Sequence, residues 1–439
     1  MNWGKVKLGE VCRIEKGAIG IQKAIPGEYP MVVTGEERKS HNEFQFDDDA
    51  VLIPLVSGTG HGHASIKRIH FQTGKFALGS ILCAVIPKNR VQLNAEYLFR
   101  FLDLNKENEL VARMKGMANV TLPMKEIAQI EIPLPSLKDQ VRFVEKYKIL
   151  EDKNAQFTTE LNYQLSLVKQ LRQQFLQEAV QGKLVEQNPK DEPASELLKK
   201  IKAEKLKLIS EKKIKKEKEL PPIKKEEIPF EIPENWTWCR GEIIASYIDP
   251  QPSHRTPPES TDGIPYVAMS DIKKDGSIDF RSTRKVSNDT LLEHQNRYNL
   301  EIGDFIFGKI GTIGKPVKLS PPFNYTLSAN IILIQPQRKI INQDYLFYFL
   351  SSPAAEKNLI ENKSTMSYPV FGMGKARNMP IPLPPLEEQN KIVEKLNELM
   401  QTCDELEESI KQSASQNEKL LQQVLREALR KEVVEKAMV

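Results

Sequence analysis

Ile132-Pro133-Leu134-Pro135-Ser136-Leu137-Lys138-Asp139-Gln140-Val141-Arg142-Phe143-Val144-Glu145-Lys146 returns without a gap as Ile381-Pro382-Leu383-Pro384-Pro385-Leu386-Glu387-Glu388-Gln389-Asn390-Lys391-Ile392-Val393-Glu394-Lys395. The same offset of 249 residues aligns 169–185 (KQLRQQFLQEAVQGKLV) with 418–434 (EKLLQQVLREALRKEVV). A register held this far marks a duplicated unit, and a repeat of this size decides the architecture before any local feature does. Weaker echoes lie upstream. Tyr97-Leu98-Phe99 matches Tyr345-Leu346-Phe347, and Tyr29-Pro30-Met31-Val32 resembles Ile264-Pro265-Tyr266-Val267. Val51-Leu52-Ile53 before Gly58-Thr59-Gly60 resembles Phe305-Ile306-Phe307 before Gly311-Thr312-Ile313-Gly314.

Downstream of each Ile-Pro-Leu-Pro the pattern is helical. Leu137, Val141, Val144, Tyr147, Leu161, Leu165, Val168, Leu171, Phe175 and Ala179 recur at spacings that place them on one stripe. No proline or glycine interrupts 137–180, so the spacing predicts a helix of about 45 residues and about 65 Å. The second copy carries Leu386, Val393, Leu396, Leu399, Cys403, Leu406, Ile410, Leu421, Val424, Leu425 and Ala428, weakened by the polar stretch Ser413–Asn417. Helices this long and one-sided need a partner surface, and the economical one is the other copy in a coiled coil. A helical hairpin inside one ordinary domain is the alternative.

Upstream of each motif, short β-branched runs such as 81–86 and 331–334 alternate with Gly, Pro, Asn and Ser clusters, which are strand and turn signals. Each module is therefore mixed α and β. Between the copies, Leu197, Leu198, Ile201, Leu206 and Ile209 give a modest helical face. It runs into a basic run, Lys212–Lys218, and a linker with Pro221, Pro222, Pro229 and Pro233. The basic run has the composition of a solvated helix end, with contact to DNA phosphates as the alternative.

Composition narrows the classes. The 439 residues carry 28% charged side chains and a formal net charge of +4, so global charge does not set a polyanion partner, although a local basic surface still can. Cysteines 12, 83, 239 and 403 form no C-x-x-C pair, which speaks against a zinc site or a disulfide framework and fits a reducing cytosol. No run approaches a membrane span, and the first residues lack an apolar signal core, so a cytoplasmic protein is expected.

A mixed α/β module, then I-P-L-P-x-L-x-x-Q and a long helix, the whole duplicated, resembles the specificity subunit of type I restriction–modification systems. Ile228–Trp236 resembles the start of that family's second target-recognition domain, and Asp191–Leu198 the tail of its central conserved region. The resemblance covers essentially the whole chain. It implies an α+β molecule with a pseudo-twofold internal repeat: target-recognition domains at 1–135 and 221–384, a central helical region at 136–220 and a C-terminal one at 385–439, the two helical regions packing as an antiparallel coiled coil. It further implies sequence-specific binding of double-stranded DNA at a split site, one domain per half. Partners would be methyltransferase subunits and a restriction motor and nuclease subunit, with no membrane. This chain would carry no active site and no cofactor; S-adenosylmethionine, ATP and magnesium would belong to the partners.

Candidate DNA-contacting residues lie in loops where small residues allow close approach to phosphates and polar ones can donate. In the first module these are Lys16 and Gly17; Ser57, Thr59, His61 and His63; and Lys115 and Asn119. In the second they are Gln251, Ser253, His254, Arg255 and Thr256, with Lys309, Thr312 and Lys315 flanking the glycines. Lys363–Ser367 stands where Lys115–Asn119 does. His61 and His63 lack the nearby Cys or acidic residues of a metal site, and no Gly-Lys-Ser/Thr closes a P-loop.

Two rival readings are open at this point. Ser320-Pro321-Pro322-Phe323 resembles the short catalytic motif of amino-methyltransferases, in which the aromatic ring stacks on a flipped base. A stand-alone methyltransferase would also need a glycine-rich cofactor loop, and no F-x-G-x-G is present. Its ordinary reading is a proline turn between strands. The other rival is a coiled-coil scaffold that binds only proteins.

Overall fold

In a computed structural model, the described residues are 3–59, 62–117, 119–211, 220–251, 253, 255–273, 276–309, 316–362 and 371–430. They form two compact units: 1–163 with 410–439, and 164–409. The basic run Lys212–Lys218, His61, His254, Thr312, Lys315 and Lys363–Ser367 lie outside the described residues.

In the first unit, β1 (Lys5–Lys7) pairs antiparallel with β10 (Glu131–Pro133), which carries the start of the Ile-Pro-Leu-Pro motif. A four-stranded sheet has the order β2 (Cys12–Lys16), β9 (Leu82–Pro87), β6 (Ala50–Pro54), β7 (His70–Gln72). A second sheet has the order β4 (Lys39–His41), β3 (Tyr29–Val32), β8 (Lys75–Leu78), β5 (Phe46–Asp47), with β3 and β8 parallel. Successive side chains of a strand face opposite ways, and the core divides accordingly. Val51, Ile53, Cys83 and Val85 meet Tyr97, Leu98 and Phe101 of the helix Ala95–Leu104. Leu52, Ala84 and Ile86 meet Val32, Phe76 and Leu78 of the second sheet.

The second unit repeats this plan. β11 (Thr237–Arg240) pairs with β19 (Pro380–Leu383). The larger sheet runs β12 (Ala245–Ile248), β18 (Ile331–Pro336), β15 (Phe305–Gly308), β16 (Val317–Lys318). The smaller runs β14 (Lys285–Val286), β13 (Ile264–Val267), β17 (Thr326–Leu327). Phe305, Phe307, Ile332 and Ile334 pack with Tyr345, Leu346 and Phe349 of the helix Gln343–Leu350, while Ile306, Ile331 and Leu333 face Val267 and Leu327. The faint echoes are real equivalences: Val32 pairs with Leu78 as Val267 pairs with Leu327, both in parallel.

The long helices are Leu137–Val180 and Leu386–Arg430, at 44 and 45 residues. In the first unit, Phe143, Val144 and Tyr147 share a core with Leu421, Leu425 and Ala428, and the Asn154 and Asn417 side chains bond each other. In the second unit, Leu176, Ala179 and Val180 share a core with Ile392, Val393 and Leu396. There Arg172 reaches Asp404 at 2.7 Å and Glu407 at 3.2 Å. In both units the residue numbers rise along one helix as they fall along its partner, so the pairing is antiparallel. The polar stretch Ser413–Asn417 is thus accommodated by an amide pair. The expected stripe differs in detail: Val141, Leu171, Leu406 and Val424 are exposed, while Phe143 and Leu176 are buried in their place.

The proline-rich stretch is not a free tether. Buried Arg240 donates to Pro221 O at 3.1 Å, to Pro222 O at 2.9 Å and to Asn378 O at 2.6 Å, and pairs with Glu227 at 2.7 Å. That contact also holds the Glu227 carboxyl below its ordinary pKa. All four cysteines are free and buried.

Candidate nucleic-acid interface

In the first unit the candidates leave from one end of the four-stranded sheet. Lys16, last in β2, pairs with Cys83 near the start of β9, and Leu82 pairs with Pro54 at the end of β6. Lys16 is exposed. Gly17 is buried, its N–H donates to Leu82 O at 2.9 Å, and a Cβ there would lie 2.2 Å from Gly79 O. Gly17 therefore lets two backbones touch rather than offering a surface.

The loop after β6 meets the loop before the motif. Val56 bridges Thr121, and Ser57 N–H donates to Val120 O at 2.9 Å. Ser57 Oγ donates to His63 O at 2.5 Å, and Thr59 Oγ1 to the same carbonyl at 3.3 Å. Lys115 and Thr121 exchange both backbone hydrogen bonds at 2.8 Å, closing a turn that carries Asn119. Gly62 has φ +79°, and its Cβ position lies 2.9 Å from Met117 O. Thr59, His63, Lys115 and Asn119 are exposed and Ser57 half-buried, so residues far apart in sequence gather on one rim. Lys115 Nζ sits 2.6 Å from Glu126, so its charge is shared.

The second unit builds the same end of its sheet. Leu122 N–H donates to Leu55 O at 2.9 Å, and Phe371 N–H, 249 residues on, donates to Lys309 O at 2.9 Å. Lys309 was expected to offer its charge to phosphate. Instead it is 8% exposed and bonded to Asp249 at 2.8 Å, just past β12. Gln251 is also buried, at 7%, and its amide nitrogen donates to Ser253 Oγ at 2.8 Å and to Arg255 O at 3.1 Å. Ser253, Arg255 and Thr256 are exposed. Lys309 and Gln251 thus shape the loop from beneath, and the exposed trio forms its surface.

Sequence reading missed the role of the motif glutamine. Gln140 and Gln389 are both fully buried. Gln140 Nε2 donates to Gln92 O and Pro135 O, both at 2.9 Å, and Gln389 Nε2 to Ile340 O at 3.4 Å and Pro384 O at 3.0 Å. Each glutamine locks its long helix to the loop that starts the module's own helix. The signal was the repeat itself.

Ser320–Phe323 forms the turn between β16 and β17. Tyr325 OH donates to Ser320 O at 3.4 Å, and the Phe323 ring meets Tyr325 edge-on. Among the described residues no group of acidic, His or Cys side chains is placed to hold a metal, and no helix is long and apolar enough to cross a membrane.

A family model described as the type I restriction modification DNA specificity domain matches residues 1–167 and 258–416, most of the chain. The chain belongs to this family. The EcoAI and EcoEI type I restriction enzyme specificity subunits of Escherichia coli are each 34% identical to it, over 59% and 62% of this chain. It spans 44% and 46% of their lengths, about half of each curated relative. A crystal structure of the HsdS subunit from Thermoanaerobacter tengcongensis shares the fold, with a TM-score of 0.51, 18% identity and coverage of 98% of this chain and 97% of that one.

Proposed function

We propose that this chain is the non-catalytic DNA-recognition subunit of a type I restriction–modification complex, reading a split site with one module per half. The observation that carries the reading is the repeated module end: two sheets of matching register, in one family of DNA specificity domains, each with an exposed polar loop leaving the same end after its first strand. Affinity comes mainly from phosphate contacts and selectivity from base contacts.

The recognition modules are residues 1–135 and 221–384, and the helical regions 136–220 and 385–439 set the gap between half-sites. In the first module Lys16, Ser57, Thr59, His61, His63, Lys115 and Asn119 face DNA, with Gly17 behind them. In the second Ser253, His254, Arg255, Thr256, Thr312 and Lys315 face DNA, with Gln251 and Lys309 behind. Methyltransferase subunits and a motor and nuclease subunit are the partners, in the cytoplasm, and S-adenosylmethionine, ATP and magnesium are theirs.

The test is a genome-wide map of adenine methylation with and without this gene beside its methyltransferase genes. Loss of one motif, two short blocks around an unspecified gap, is the expected result. No change with the partners expressed overturns the reading in favour of a protein-binding scaffold.

A further inference from the structure

His294 belongs to the short helix Asn288–Gln295 and is 1% exposed. Its Nε2 lies 2.5 Å from Gln251 Oε1, the same Gln251 whose amide nitrogen holds Ser253 and Arg255. An amide oxygen only accepts, so His294 Nε2 carries the ring proton, a tautomer assigned from its partners. Nδ1 then accepts from hydroxyls, with Thr326 Oγ1 in bonding contact and Tyr298 OH at 3.2 Å. Tyr298 and Thr326 bond each other at 2.9 Å. A buried polar line therefore runs from β17, through the imidazole and Gln251, to the exposed loop after β12. Burial holds the ring below the ordinary histidine pKa, which suits a neutral connector.

The first unit has the same device in different chemistry. Gln45 lies beside β8, the counterpart of β17, its N–H donating to Phe76 O at 2.9 Å. Its side-chain oxygen accepts Ala18 N–H at 2.9 Å and its amide donates to Lys16 O at 2.9 Å. In each unit one side chain from beside the second sheet fixes the loop that follows the first strand of the other sheet, β2 or β12. Neither residue falls within a shared motif.

We propose that His294 and Gln45 are positioning residues for base selection, each setting the conformation of one reading loop and hence one half of the recognised site. Neither touches DNA. The exposed side chains of Ser253, Arg255 and Thr256 in one unit, and of Lys16 in the other, would be what the brace aims. This rests on the DNA-recognition reading above, and the experiment separates the two.

The full chain is taken through selection on a duplex library with two randomised blocks and gaps of several lengths. Wild type, His294→Leu, His294→Gln and Gln45→Leu are compared, with thermal melting as a folding control. If wild type enriches no two-block motif, the recognition reading itself fails. Given a two-block motif, His294→Leu should lose about tenfold or more of its preference in one block only, the scale of one mismatched base pair. His294→Gln, which can still donate to Gln251, should retain most of that preference. Gln45→Leu should affect the other block. Loss in both blocks by one variant, loss in the same block by both residues, or unchanged preference in folded variants overturns the inference. Gln45 is half-buried, so its variant decides the matter even if His294→Leu does not fold.

Discussion

The side-chain oxygen of Gln389 accepts the backbone N–H of Asn342 at 2.7 Å, and 249 residues earlier Gln140 does the same for Asn94 at 2.8 Å. Asn94 and Asn342 are themselves helix caps, each accepting from the first turn of the helix that follows. The glutamine thus ties a long helix, a proline turn and a module helix at one buried point. Replacing Gln389 by Leu leaves a buried N–H and two carbonyls unpaired. It should lower the unfolding free energy by about 1–3 kcal/mol, read from denaturant melts. Gln389→Glu should be little better, because a carboxylate would face the carbonyls of Ile340 and Pro384. A variant as stable as wild type would remove the glutamine from the account of the junction.

Neighbours in sequence can hold opposite jobs. Gly17→Ala pushes a methyl group to 2.2 Å from Gly79 O, a backbone atom that cannot step aside cheaply. The expected cost is about 1–3 kcal/mol of stability. Lys16→Ala, at an exposed strand end, should leave the melt unchanged and weaken DNA binding, with the lost preference confined to the block that Gln45→Leu affects. The salt dependence of its binding should also become shallower, by about one in the logarithmic slope. A destabilised Lys16→Ala together with an unaffected Gly17→Ala would reverse these assignments.

How much of this was legible is clearest at the sheet ends. The repeat, the long helices and the strands 50–54, 82–87, 305–308 and 331–336 were readable because apolar periodicity is a local property. The gathering of Ser57, Thr59 and His63 with Lys115 and Asn119 was not, since it depends on the Val56–Thr121 bridge across the module. The burial of Lys309 was equally hidden: its partner Asp249 lies 60 residues away. His294 and Gln45 give no local signal, because what each contacts is decided by the packing of the second sheet.

The pair of long helices supplies a third test. In the second unit Arg172 is 22% exposed at its side chain and is clasped by Asp404 and Glu407 beside the fully buried Cys403. Arg172→Glu places three acidic groups together at a partly buried seam and should destabilise the chain by about 1–2 kcal/mol. Pairing it with Asp404→Arg should recover part of that loss in a double-mutant cycle. An absence of coupling would show that packing of Leu176, Leu396 and their neighbours alone sets the register.

Acid should weaken the first unit through His70. This ring is 6% exposed, and its Nδ1 faces the Arg38 guanidinium at 3.1 Å, which can only donate. Burial first, then the charges of Arg38 and Arg68, push its pKa down to about 4 from the ordinary 6.5. The folded state keeps the ring neutral while the unfolded chain takes up a proton, so the contribution is complete above about pH 6.5 and declines toward pH 4. The loss is on the order of 3 kcal/mol at pH 4. His294, also held below the ordinary value chiefly by burial, adds in the same direction in the second unit. Denaturation midpoints at pH 7.5, 6 and 5 should therefore converge between wild type and His70→Gln as pH falls. Parallel curves would exonerate His70.

Arg255 offers the sharpest separation between affinity and selectivity. Its backbone is fixed at both ends, with the N–H directed to Ser253 Oγ at 3.3 Å and the carbonyl held by Gln251 at 3.1 Å, while the side chain is exposed. A guanidinium presented on a rigid backbone suits bidentate contact with a guanine edge. If it makes that contact, Arg255→Ala should cost about 1–3 kcal/mol on the preferred duplex and relax the requirement at a single position of one half-site. If it only meets phosphate, every duplex should weaken alike and the selected motif should stay as it was. Measuring binding on the preferred duplex and on single-base variants of each block distinguishes these outcomes, and the salt slope on the same duplexes gives an independent reading of the phosphate contribution.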